Sequence, residues 1–328
     1  MRNSRFIVII LTVVLCLGLV AGCGKKSVPS TPAATPKYPE KPISVIVPFA
    51  PGGGTDILTR AIQKYFPHDL VPVNIEGASG LVGAQQALNA KPDGYTILGH
   101  NPMNLLSQYL AGTTDKALYK DLKTICYIVD DYTIVTTNKA TGWKTWDDVV
   151  KAAKAKPGSI KWGVTGAAGQ SAADSLRAMK AFGLNIVLVP YDGGAGTRTA
   201  LLGNHIQIET STGSDIRKVV ESGDVIPLAA ISSIRSPFLP KVPTYRELGA
   251  DVASGAPRAY YAPPGISKEN LDKLVAAFKQ VSENPEFKAY IKTLGYDVKF
   301  VGPAEADKWI EEQHKIFKPL FDSFKQKK

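Results

Sequence analysis

The sequence predicts an α/β protein built on doubly wound, parallel sheets in two halves. Three observations carry this. From residue 41 onward, β-rich runs alternate with segments of helical period. Glycine-rich turns stand where a strand-like run gives way to a helix-like one, in both halves. The 328 residues, 44% hydrophobic and 21% charged, suffice for two compact cores. The same balance excludes a disordered chain, a collagen-like repeat and a disulfide-stapled mini-protein.

The first strand covers residues 43–49 and runs into Ala50-Pro51-Gly52-Gly53-Gly54. Ile57, Leu58, Ala61, Ile62 and Tyr65 then recur at helical spacing over 56–66. A strand at 71–75, a loop at 77–83, a helix at 84–90, a turn at Lys91-Pro92-Asp93-Gly94 and a strand at 95–98 complete the first βαβαβ rhythm. Residues 124–128 are β-like around Cys126, which reads as a buried small hydrophobe rather than a nucleophile.

In the second half, strands are expected at 132–137, 160–164, 186–190, 206–209 and 226–231. Helices are expected between them at 145–155, 171–182, 197–202 and 215–221. No internal sequence repeat links the halves, so any similarity between them is architectural. Residues 233–255 are irregular and carry prolines, residues 260–262 resume a strand, and helices near 268–282 and 303–325 end the chain.

The N-terminus sets a compartment. Arg2 and Arg5 precede an apolar run from Phe6 to Val20, the pattern of an export signal. Val20-Ala21-Gly22-Cys23 resembles the lipobox of bacterial lipoproteins, which implies cleavage after residue 22, acylation of Cys23 and an extracytoplasmic, membrane-anchored address. A cleaved secretory signal and an uncleaved anchor are the alternatives. Residues 23–37, rich in Pro, Ser, Thr and Ala, read as an extended tether. Loss of the signal removes two arginines and no acid, so the formal charge falls from +10 to +8. Cys126 is then the only ordinary thiol, and no internal disulfide forms.

That positive balance admits nucleic acid, an anionic membrane face or an anionic ligand. Basic residues do not cluster with aromatics as a nucleic-acid surface requires. Signatures of serine hydrolases, zinc enzymes, phosphate loops and dinucleotide folds are absent, and His68, His100, His205 and His314 keep no metal-site companions. The sequence gives no reason to expect an enzyme, a metal or a cofactor.

The loops give more. Pro51, Gly52, Gly53, Gly54, Thr55 and Asp56 lie at the carboxyl end of the first strand and open a helix, the edge where open α/β sheets bind ligands. Helix N-termini there offer unpaired N–H groups and a positive dipole end, and glycine lets a ligand oxygen approach the backbone. Thr165, Gly166, Ala167, Ala168, Gly169, Gln170 and Ser171 repeat the arrangement in the other half. Facing each other, the two loops suit a molecule with a carboxylate at each end. In Pro190-Tyr191-Asp192-Gly193-Gly194, Tyr191 is the candidate to place a hydroxyl at the cleft.

Several strings resemble the substrate-binding proteins of tripartite tricarboxylate transporters, the Bug family. They are Tyr38-Pro39-Glu40-Lys41-Pro42-Ile43, Val47-Pro48-Phe49-Ala50-Pro51-Gly52-Gly53-Gly54-Thr55-Asp56 and Lys91-Pro92-Asp93-Gly94-Tyr95-Thr96, then Val189-Pro190-Tyr191, Val242-Pro243-Thr244 and Ala262-Pro263-Pro264-Gly265. The resemblance covers about residues 38–310. It implies a periplasmic-binding-protein type II fold: two doubly wound α/β domains joined by two crossing strands. Domain I would comprise 38–131 and 236–328, domain II 132–235, with crossings near 130–132 and within 233–255. It also implies a monomer without cofactors that hands a small di- or tricarboxylate to a two-subunit integral membrane transporter. Where the family carries an arginine and a proline after the second strand, this chain has Ile75-Glu76-Gly77-Ala78-Ser79-Gly80-Leu81, leaving that loop's usual contacts open. Pro257-Arg258-Ala259-Tyr260-Tyr261 also departs from the family, and Arg258 is a candidate partner for a substrate carboxylate. An ABC-type receptor for another anion, a sensory lipoprotein on the same fold and an α/β enzyme are the alternatives.

Overall fold

The computed structural model describes residues 38–325. The expected export segment, Cys23 and the tether lie outside the described residues. The described residues from 41 onward form one compact unit, and within it lie two sheets. The first has the order β11-β4-β10-β3-β1-β2, from β1 (Ile43–Val47), β2 (Leu70–Asn74), β3 (Thr96–His100), β4 (Lys123–Asp130), β10 (Arg258–Ala262) and β11 (Asp297–Val301). The second has the order β7-β6-β8-β5-β9, from β5 (Thr133–Asn138), β6 (Lys161–Thr165), β7 (Val187–Tyr191), β8 (Ile208–Thr212) and β9 (Val225–Ala230).

The expected parallel sheets are in fact mixed. β1 pairs in parallel with β2 and β3, and β6 with β7 and β8. In contrast, β10 runs antiparallel to β3 and β4, and β5 antiparallel to β8 and β9. The reason is where the chain crosses. β4 ends at Asp130 and β5 begins at Thr133, so β5 enters the second sheet from the edge at which its neighbours' carboxyl ends lie. β10 enters the first sheet in the same way. A strand starting at that edge runs against its neighbours; β11 is likewise antiparallel to β4.

Helices cover both sheets. Around the first are α1 (Gly54–Gln63), α2 (Leu81–Leu88), α3 (Pro102–Ala111), α4 (Leu118–Asp121), and the later α9 (Lys268–Glu283), α10 (Pro285–Thr293) and α11 (Pro303–Lys325). Around the second are α5 (Trp146–Ala155), α6 (Gln170–Phe182), α7 (Gly194–Leu202) and α8 (Gly213–Glu221). Thr145 and Asp148 form a reciprocal capping box at α5, where the Trp-Asp-Asp start marked a helix in the sequence. α3 escaped the sequence reading because it is buried almost all round, from Pro102 to Gln108, and shows no amphipathic period.

One core joins Leu98, Met103, Leu105, Leu106, Tyr119, Tyr261 and Phe317. Another joins Trp146, Trp162, Ile208 and Tyr245, with the Trp146 and Tyr245 rings tilted at 59° and their centroids 4.9 Å apart. The second core corrects the expected domain limit. Residues 236–252 were assigned to domain I, yet Tyr245, Ala250 and Val252 pack with Trp146 and Trp162, and Thr244 bridges Ala230 of β9. A few apolar side chains in an otherwise irregular run anchor it to the second sheet. The return crossing therefore falls beyond Val252, where the Asp131 N–H donates to the Ala256 carbonyl at 3.3 Å and ties the two crossings together. Cys126 is buried, and burial pushes its thiol pKa up, in keeping with an inert core residue.

Candidate functional site

The carboxyl ends of the parallel strands of both sheets face a single cavity of about 100 Å³. One water needs ~10–15 Å³ on this measure, so the space suits a molecule of roughly seven to ten heavy atoms. Four helices begin at its wall with no side-chain cap of their own: α1 after Gly53, α6 after Gly169, α7 after Gly193 and α8 after Thr212. Away from it, α5, α9 and α10 are capped by Thr145, Ser267 and Asn284, whereas α2 and α4 have no side-chain cap. The orphan N–H groups of the first turns and the positive dipole ends thus converge on this space.

The first glycine loop is divided in its use. Gly53, Gly54 and Thr55 line the cavity, whereas Pro51, Gly52 and Asp56 do not. Gly52 has φ +80°, a left-handed conformation that favours glycine, and its N–H donates to Asp56 Oδ2 at 2.9 Å. The Asp56 carboxylate also accepts from Arg60 Nε at 2.9 Å and from Asn74 at 3.1 Å. Burial works against its ionisation, but these bonds outweigh it and hold the pKa below the usual value. Asp56 braces the loop from behind instead of facing a ligand. At Gly54 an added Cβ would lie 2.9 Å from Ser214 Oγ and 3.2 Å from Arg258 Nη2, so only glycine fits this approach of the two halves.

The second loop is divided likewise. Thr165, Gln170 and Ser171 line the cavity; Gly166, Ala167, Ala168 and Gly169 do not. Gly166, at φ +71°, passes so close to the first half that a Cβ would come within 2.5 Å of Ser79 Oγ. Ser171 Oγ accepts from the Thr165 N–H at 2.7 Å and pins the loop. Gln170 joins both halves and the crossing: its Oε1 accepts from Asn101 at 2.7 Å, and its Nε2 donates to the Gly255 carbonyl at 2.9 Å.

Tyr191 is a correction. Its side chain packs with Leu201 and Ile206 under α7 and is not part of the lining. The next residue, Asp192, lies just past the end of β7 and lines the cavity instead. Arg258 does line the cavity and is 6% exposed. Its Nη2 donates to Asp131 Oδ2 at 2.9 Å and to Thr212 Oγ1 at 3.2 Å. Asp131, fully buried between the crossings, also accepts from Ser214 N at 3.2 Å and from Ser214 Oγ. Burial raises its pKa, against the pull of Arg258 and Ser214.

Sequence reasoning missed Asp192, Thr210, Ser211, Thr212, Asp215, Asn101 and Asn104, which complete the wall. Thr210-Ser211-Thr212-Gly213-Ser214-Asp215 is a third strand-to-helix turn of small polar residues and carried the same signal as the two glycine loops. Beneath it, Glu209 is fully buried and its carboxyl meets only Thr136 Oγ1, at 3.3 Å. Burial is the main cause that raises its pKa to about 8; Arg198 opposes this and Asp215 adds to it. Among the described residues no cluster of three or more potential metal ligands occurs, and no helix is long and apolar enough to cross a membrane.

The profile of the family described as "Tripartite tricarboxylate transporter family receptor" matches residues 57–325. BugT of Bordetella pertussis is 27% identical over 271 residues, covering 80% of this chain and 82% of BugT. A second protein of that organism, from the group designated UPF0065, is 30% identical over 274 residues, covering 79% of this chain and 82% of that protein. The solved structure of the periplasmic binding protein BugD aligns with a TM-score of 0.80 at 27% identity, covering 87% of this chain and 98% of that one.

Proposed function

This chain belongs to the tripartite tricarboxylate transporter receptor family, and from that premise we propose that it is an extracytoplasmic receptor that captures a small carboxylic acid in the cavity between its two halves. The observation that carries the reading is the convergence on one cavity of four helix N-termini without side-chain caps of their own, although Asp215 takes the Gly54 N–H of α1 and Asp131 the Ser214 N–H of α8. Such ends favour an anion by about 0.3–1 kcal/mol each, up to ~2 when partly buried. Side-chain and water-mediated hydrogen bonds supply the rest.

The halves act as two domains that close on the ligand: binding across both favours the closed population. Gly53, Gly54 and Thr55 on one side, and Thr165, Gln170 and Ser171 on the other, are the contacts, with Arg258 in the wall. Acylated Cys23 and the Pro-rich tether hold the receptor at the membrane, where it delivers its cargo to a two-subunit transporter. The chain works as a monomer and by binding, without turnover. A thermal-shift screen of the purified chain against a panel of organic acids tests this. A true ligand at one hundred times its Kd adds about 2.7 kcal/mol of stability and raises the melting temperature by a few degrees. If sugars or amines lacking a carboxyl group shift it while no acid does, the reading is wrong.

A further inference from the structure

Among the described residues, three charged side chains line the cavity: Asp192, Asp215 and Arg258. The positive one is already balanced inside the wall, since Arg258 forms an ion pair with the buried Asp131 at 2.9 Å. The two negative ones are not. Asp215 Oδ1 accepts from the Gly54 N–H at 2.9 Å, across the cavity, and its Oδ2 accepts from Thr212 Oγ1 at 3.0 Å. Asp192, which is exposed, accepts at Oδ1 from the Ser79 N–H at 3.1 Å, between the two halves. Neither carboxylate forms an ion pair among the described residues. The nearby Arg198 donates to the Asp215 main-chain carbonyl at 2.7 Å, not to its carboxylate. A carboxylate has about four acceptor positions, and Asp215 uses two of them here.

Two further groups in the lining are unmatched. Arg258 Nε and Ser211 Oγ have no hydrogen-bond partner, although the residues are only 6% and 5% exposed. Both atoms are sealed inside the wall, so the donors left for a ligand carboxylate are the first-turn N–H groups of α6 and α7. The cavity therefore presents backbone donors suited to a carboxylate and two carboxylates that form no ion pair among the described residues. A second ligand carboxylate seeking the Gly54 N–H would have to displace Asp215 and remain beside it.

We propose that the ligand is a carboxylic acid that also carries a protonated amine, its carboxylate held by the first-turn N–H groups of α6 and α7 and its ammonium neutralised by Asp215, with Asp192 reinforcing the preference. This rests on the reading of the cavity as the capture site for a small acid. Asp215 is then a specificity-determining residue: it admits a zwitterion and discriminates against the same acid without its amine.

The test compares matched pairs by calorimetric titration of the full chain at neutral pH: L-aspartate with succinate, L-glutamate with glutarate, L-norvaline with pentanoate, and 4-aminobutyrate with butyrate. The amine-bearing member of the best pair is expected to bind at least tenfold more tightly than its partner. Asp215→Asn, which keeps the shape and can still accept from Gly54, is expected to weaken that member at least tenfold and bring the pair together. Equal or tighter binding of the acids without an amine overturns the proposal and leaves the capture reading standing. So does an Asp215→Asn protein that binds both members more tightly, since Asp215 would then be a stand-in for a ligand carboxylate. Silence from every acid overturns the capture reading and this inference with it. Should Asp215→Asn fail to fold, the pair ratio of the unaltered chain decides.

Discussion

Arg258→Ala is expected to lower the unfolding free energy by about 3–5 kcal/mol, the usual cost of removing one partner of a buried ion pair. Asp131 is the reason. It lies at 2% exposure between the two crossings, with Arg258 as its only ion-pair partner among the described residues and Ser214 as its remaining support. Without the arginine its folded pKa rises further above the unfolded value. Stability is then fully present only below the unfolded carboxylate range and is lost as pH rises through the folded pKa. The deficit should accordingly be large at pH 7 and small near pH 4, and Asp131→Asn should restore part of it at pH 7. Ligand affinity should also fall where the variant is folded, because Arg258 lines the cavity and holds Thr212 in its wall. Arg258→Lys keeps the charge but not the fork, so it should recover stability better than affinity. Denaturant titrations across pH check the first claim and calorimetry the second.

Glu209→Gln is expected to stabilise the protein in the neutral range. The folded pKa of Glu209 is raised to about 8 from 4.5, chiefly by burial. Its contribution is complete below pH 4.5 and is lost as pH rises through about 8. Two other buried groups titrate lower. Asp174, raised by burial to about 6, has the same sign. His100, lowered by burial to about 4, has the opposite sign: its contribution is present above 6.5 and lost as pH falls through 4. Between pH 6.5 and 8 Glu209 therefore dominates, and at 1.36 kcal/mol per pH unit the unaltered chain should lose about 2 kcal/mol there. The glutamine variant should be nearly flat across the same window. A parallel decline in both proteins would show that Glu209 is ionised in the folded state.

The strand, glycine loop and helix units were legible because each leaves a local mark. Period-2 and period-3.6 patterns identify the elements, and glycines mark the ends that face the cavity. What sequence could not show is which side of an element a residue takes and what it meets across space. Tyr191 and Asp192 are adjacent, yet only Asp192 lines the cavity. Asp215 stands in the first turn of α8, where an acid ordinarily supports its own helix. Only the fold brings it to the Gly54 N–H, 161 residues away. Arg258 was legible as a candidate partner for a ligand carboxylate, but its pairing with Asp131 depends on two crossings meeting. The mixed sheet direction and the attachment of residues 236–252 to the second core are consequences of that same crossing.

The central claim is that a small acid is bound between the two halves and holds them together. Small-angle X-ray scattering of the chain, with and without a saturating amount of the tightest acid from the screen, measures this directly. The account predicts a smaller radius of gyration in the bound sample, with the bound profile matching that of a single closed form. An unchanged radius at proven saturation would place the acid outside the cavity or leave the halves fixed, and either result would contradict the account.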